Sequence, residues 1–120
     1  MSKDEGYVRD AIDLAREAVA NGNTPFGSLL VVDGTIVRRA TNTTVTGSDI
    51  TAHPELKLVR WAARELDAGE LADCTMYTST EPCEMCATAI YYAGLSRVVY
   101  RRSRPSASGL DPEGEGRKPR

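Results

Sequence analysis

The alternation of apolar and polar positions divides the first hundred residues into helices and strands. Tyr7, Val8, Ala11, Ile12, Leu14, Ala15, Ala18 and Val19 recur at helical spacing and give one broad apolar stripe. That predicts a helix from about Asp4 to Ala20, with Asp4 as its N-cap and Asn21-Gly22-Asn23 as its stop. Gly27 to Val32 is a short apolar run, and Thr35 to Ala40 is a second strand-like segment. The Asp33-Gly34 link between them tolerates positive φ at both positions and predicts a tight hairpin. Thr41 to Thr51 is rich in Thr, Ser, Asn and Gly and reads as a loop. A helix is expected from near His53 to Asp67, buried through Leu56, Val59, Ala62 or Ala63, and Leu66. Pro54 suits its first turn, where the missing N–H has no intrahelical partner, and Gly69 is the expected terminator. Cys74 to Ser79 reads as a strand. Pro82 opens a helix to about Tyr92 that Gly94 ends, and Arg97 to Tyr100 is the last strand.

Strands joined through helices imply an α/β fold with a mixed sheet and parallel neighbours. A chain of 120 residues fits one small domain with a modest core. From Ser103 onward Ser, Pro, Gly and charge dominate, so a domain over residues 1–102 is expected to be followed by a loose polar tail, 103–120. The net charge of −2 argues against a strongly basic nucleic-acid binder as a whole, although the arginines from Arg97 onward make the C-terminal end locally basic. No apolar run is long enough to span a bilayer, and the N-terminus lacks the apolar stretch of a secretory signal, so the expected location is the cytoplasm. In that reducing compartment, Cys74, Cys83 and Cys86 favour metal or redox chemistry over a disulfide framework.

Two motifs carry the chemistry, and each opens a predicted helix: His53-Pro54-Glu55 and Pro82-Cys83-Glu84-Met85-Cys86. Cys83 and Cys86 are three apart, so both sulfurs lie on one helix face, at the positive end of the dipole that favours thiolate. Two thiolates and an imidazole suit zinc and leave a fourth tetrahedral position for water, whose pKa zinc lowers to roughly 7. Glu55 lies two residues after His53, near such an ion without needing to ligate it, and can move protons between water and a leaving amine. H-x-E followed by P-C-x-x-C is the signature of hydrolytic zinc deaminases.

Plainer readings compete. A lone Cys-x-x-Cys can be a redox pair or half of a structural zinc site. The combination argues against both, because the chain's single histidine has a glutamate two places on and a structural site would normally take a fourth protein ligand. Phe26 and Trp61 read first as core, Cys74 as a small buried hydrophobe, and Tyr91 and Tyr92 as divided between core and interface.

At these residues the chain resembles the cytidine deaminase-like superfamily, and within it the guanine deaminase and tRNA adenosine deaminase branch. The resemblance runs from about Tyr7 to Tyr100. Its marks are Pro25-Phe26-Gly27, Asn42, Asp49, Thr51-Ala52-His53, Tyr77-Thr78-Ser79 and Glu81-Pro82-Cys83 through Cys86. It implies a three-layer α/β/α sandwich, Zn2+ on His53, Cys83 and Cys86, and Glu55 as the catalytic proton shuttle. It also implies Asn42 on the substrate base, with Phe26 and Ala52 beside it, a Cys83 backbone N–H facing the reacting oxygen, and a homodimer. Pro54 stands where the family usually has alanine, and Ile50 where many members have proline. Members usually continue past the position of Tyr100 with further elements, whereas a short polar tail follows here. Gly109-Leu110-Asp111 faintly echoes a guanine-contacting segment.

Three functions stay open at this point. The first is deamination of a free base or nucleoside, guanine-like before cytosine-like, which the overall acidity suits. The second is deamination of a base within tRNA or single-stranded nucleic acid. The third is a zinc-stabilised domain without catalysis.

Overall fold

A computed structural model describes residues 3–102. Its elements are α1 (Lys3–Ala20), β1 (Gly27–Val32), β2 (Thr35–Thr41), α2 (Pro54–Glu65), α3 (Ala68–Ala72), β3 (Cys74–Thr80), α4 (Glu84–Ala93) and β4 (Arg97–Arg102). The tail over 103–120, with its Gly109-Leu110-Asp111, lies outside the described residues.

The four strands form one sheet in the order β2-β1-β3-β4. β1 runs antiparallel to both β2 and β3, while β3 and β4 are parallel. β2 and β3 therefore point the same way with β1 between them, so both helical crossovers join co-directional strands. This is the mixed α/β sheet that the sequence implied.

β1 is buried on both faces, which explains the apolar run from Leu29 to Val32. Leu29 and Leu30 are both fully buried but project to opposite sides. Leu29 packs with Val8, Val31 and Tyr77 beneath α1. Leu30 packs with Leu58, Val59, Ala62, Met76 and Ile90 beneath α2 and α4. Each such leucine contributes about 1.5–3 kcal/mol. The result is three layers, α/β/α.

Two glycines are required by geometry. Gly34, with Asp33 at φ 50° and itself at 77°, closes the β1–β2 hairpin in the left-handed conformation the Asp-Gly link predicted. Gly27 lets α1 approach β1, because a Cβ there would lie 2.6 Å from Ala15 N and 2.7 Å from Ala11 O.

Several boundaries differ from expectation. Asp4 is inside α1 rather than its cap, and its carboxylate is taken by Arg97 and Tyr77. Gly69 does not end α2, which stops at Glu65 with Leu66 extended. It falls instead in α3, which the apolar pattern did not show. Asp67 and Glu70 start α3 with a reciprocal capping box. On α2, Leu58 takes the buried place expected of Leu56, which is only half-buried. Cys74 is fully buried in the core as expected. Tyr91 and Tyr92 are 79 and 80 % exposed, so neither enters the core. Among the described residues, no helix is long and apolar enough to cross a membrane.

Candidate metal centre

The two motifs meet where α2 and α4 begin. His53 is the N-cap of α2 and Cys83 the N-cap of α4, and neither side chain caps its own helix. Both turn instead toward a common point. His53 Nδ1 lies 3.6 Å from Cys83 Sγ and 3.6 Å from Cys86 Sγ. One ligand atom from each of the three residues falls within 4.8 Å of the others. Zinc bonds of about 2.3 Å to sulfur and about 2.1 Å to nitrogen, at the tetrahedral angle, put sulfur and nitrogen about 3.6 Å apart. The spacing therefore fits a tetrahedral ion.

The electrostatics point the same way. Burial, then the Glu55 carboxylate and the Cys83 sulfur, push the Cys86 thiol up, while the Leu56 backbone N–H bonds to it and pulls it down. A buried cluster of two thiols, an imidazole and a carboxylate is a poor home for negative charge without a cation, and a divalent ion inverts that balance.

Glu55 is 5 % exposed on the first turn of α2. The Thr78 hydroxyl lies 3.5 Å from Glu55 Oε2, a long contact, and accepts at 2.7 Å from Ser28 Oγ. Sequence reasoning singled out neither Thr78 nor Ser28 for this role. The available signal was weak, a single serine in β1 and one of four serine or threonine residues in β3; Ser28 and Thr78 are register partners.

The loop before His53 brings the other sequence candidates to the same end of the sheet. The Phe26 carbonyl accepts from Asn42 N at 3.0 Å, and the Ala52 carbonyl accepts from Thr43 N at 3.1 Å. Asn42 is 2 % exposed. Its Oδ1 accepts from Thr44 N and Thr44 Oγ1, both at 2.9 Å, and because the backbone N–H can only donate, the amide orientation is fixed. Among the described residues, Asn42 Nδ2 has no hydrogen-bond acceptor. Phe26 is half-buried and Ala52 buried.

A mixed sheet between helical layers, with imidazole and two thiols converging from two helix starts, defines a domain built around a bound metal. The chain belongs to the cytidine and deoxycytidylate deaminase family, whose zinc-binding region matches residues 1–102. It is 41 % identical over 105 residues to guanine deaminase of Bacillus subtilis (strain 168), covering 87 % of this chain and 67 % of that protein. It is 34 % identical over 114 residues to tRNA-specific adenosine deaminase of the same strain, covering 95 % and 66 %. The fold matches the X-ray structure of guanine deaminase from Bacillus subtilis with a TM-score of 0.77, over 86 % of this chain and 66 % of that one. The chain thus spans about two thirds of the length of these relatives.

Proposed function

We propose that this chain hydrolytically deaminates a nucleobase, free or in a nucleoside, and guanine-like before cytosine-like. The observation that carries the reading is a buried carboxylate, Glu55, beside the His53–Cys83–Cys86 triangle. His53, Cys83 and Cys86 would hold zinc. Zinc held there would make a water molecule acidic enough to attack at neutral pH. Water adds to the amino-bearing ring carbon, the carbon–nitrogen bond breaks, and ammonia leaves as a carbonyl forms. Glu55 takes one proton from the attacking water and passes it to the ring nitrogen, then takes the second from the added hydroxyl and passes it to the leaving amine. Asn42 orients the base, since Thr44 occupies its oxygen and its Nδ2 is left to donate. The loop held by Phe26 and Ala52 places that amide.

The guanine-like preference rests on the identity to a guanine deaminase. Deamination of a base carried in tRNA is the second reading, favoured by the tRNA-specific relative. A homodimer in the cytoplasm is the form we expect, supported by the two exposed tyrosines on α4.

The test is ammonia release by zinc-loaded protein from guanine, guanosine, cytosine, cytidine, adenine, adenosine and a structured tRNA, with Glu55→Ala as control. Release from one small substrate, abolished in the control, supports the reading. Release only from tRNA replaces it with the second, and no release with zinc bound overturns both.

A further inference from the structure

On a chain of net charge −2, three cationic side chains face one groove without a carboxylate in its lining. The groove lies between β2 and α2 and encloses about 340 Å³. Arg38 comes from β2, on the face of its register partner Leu30, while Arg39 pairs with Leu29 and projects to the other face; Lys57, Trp61 and Arg64 come from α2 at spacings of four and three, which places them in one stripe. Arg38, Lys57 and Arg64 are in neither of the ion pairs seen among the described residues, Arg16–Asp13 and Arg97–Asp4. A second basic groove, lined by Arg9, Arg16 and Arg101, contains Asp13 and is partly neutralised by it.

The groove is also organised. The Arg38 guanidinium sits 5.3 Å from the centre of the Trp61 ring, a stacking that holds the arginine while leaving its N–H edges free. Lys57 Nζ donates to Thr43 Oγ1 at 2.9 Å, which ties the groove to the loop carrying Asn42. Burial holds the Lys57 ammonium below the usual lysine range, and a facing anion would relieve that cost.

The cations do not converge on one point. From Lys57 to Arg64 the helix rises about 10 Å, longer than one phosphate needs. We infer that this groove binds the phosphodiester backbone of a nucleic-acid strand, running from the metal centre along α2. Binding alone reads this out, so it stands or falls separately from the deamination reading.

The experiment is fluorescence anisotropy of a labelled single-stranded RNA of about 20 nucleotides with the full zinc-loaded chain, from low to moderate salt. Two double variants are compared, Arg38→Glu/Arg64→Glu in the groove and Arg9→Glu/Arg16→Glu in the other groove. All four positions are exposed or on the helix surface, and circular dichroism checks that both variants fold. The groove variant is expected to bind at least about tenfold more weakly and to flatten the salt slope by about 1.4, at about 0.7 per lost contact on a single strand. The other variant should stay close to the parent. Equal losses in both variants, or no loss in the groove variant, overturns the proposal. Displacement of the RNA by millimolar inorganic phosphate or a mononucleotide, at matched ionic strength, also overturns it, because the groove would then be a site for a small phosphate.

Discussion

His53 and Cys83 cap two different helices, yet Nδ1 of one stands 3.6 Å from Sγ of the other. The metal centre is therefore set by the packing of α2 against α4, not by a loop. Two positive helix ends converge on it, and both favour thiolate over thiol. Leu58, Val59 and Ala62 of α2 share a core cluster with Ile90 of α4, which fixes the distance. Substitutions in that contact should reach the site without touching it.

Thiol reactivity distinguishes the three cysteines. Burial, and then Asp73, push the Cys74 thiol up to about 11, and the side chain is fully buried. A raised pKa means less thiolate at a given pH, so Cys74 should resist iodoacetamide at pH 8 until the chain unfolds. In zinc-loaded protein, Cys83 and Cys86 should be protected too. After chelation the half-buried Cys83 should react before the fully buried Cys86. Mass spectrometry of the alkylated protein reads the order, and early labelling of Cys74 would contradict the packing described here.

Glu55→Gln separates holding the metal from using it. The amide keeps the volume of the side chain in a site that is 5 % exposed, but it cannot take up a proton. Zinc content should stay at one per chain, while turnover falls by about 10²–10⁴. Loss of zinc along with activity would show that Glu55 supports the ligands instead.

Gly27→Ala tests the seating of α1. The new Cβ would meet backbone, Ala15 N at 2.6 Å and Ala11 O at 2.7 Å, so the helix must move away. Overpacking of this kind costs about 1–3 kcal/mol, and for a domain near this size each kcal/mol lowers Tm by about 4–8 °C. Gly34→Asn is the contrast. Its φ of 77° suits asparagine and nothing lies within 4 Å, so Tm should change little.

How much of this was legible in the sequence depended on how local the cause was. The hairpin at Asp33-Gly34 and the two ligand-bearing helix starts were legible because a turn pair, two prolines and the apolar period all act within a few residues. α3 was hidden because five residues show no period; its signal was the Asp67/Glu70 capping pair, in a stretch where Asp67 was read as the end of α2 and Gly69 as its terminator. Tyr91 and Tyr92 were expected to divide between core and interface. Ile90 takes the buried place instead, and steps of about 100° carry both tyrosines away from it. Thr78 beside Glu55 depends on the Ser28–Thr78 register, which is set by sheet pairing across fifty positions. Asp4 was read as a cap because its true partner is 93 positions away.

That distant pair makes a pH prediction. Asp4 Oδ2 accepts from Arg97 Nη2 at 2.6 Å, and Asp4 Oδ1 accepts from the Tyr77 hydroxyl at 2.6 Å, so the start of α1 is tied to β3 and β4. The Arg97 bond first, and then the Tyr77 bond, hold the Asp4 carboxyl below its ordinary 3.8. Near pH 4 the unfolded chain therefore binds more protons at this position than the folded one, and stability rises with pH there. The contribution is complete above the unfolded value and is lost as pH falls through the lower folded one. Asp4→Asn removes it at every pH. Urea midpoints measured from pH 6 down to pH 2.5 should show the parent more stable at pH 6 and the two curves converging below about pH 4, on top of the acid loss common to both. Curves that stay parallel across that window would mean that Arg97 and Tyr77 hold Asp4 in place without stabilising its charge.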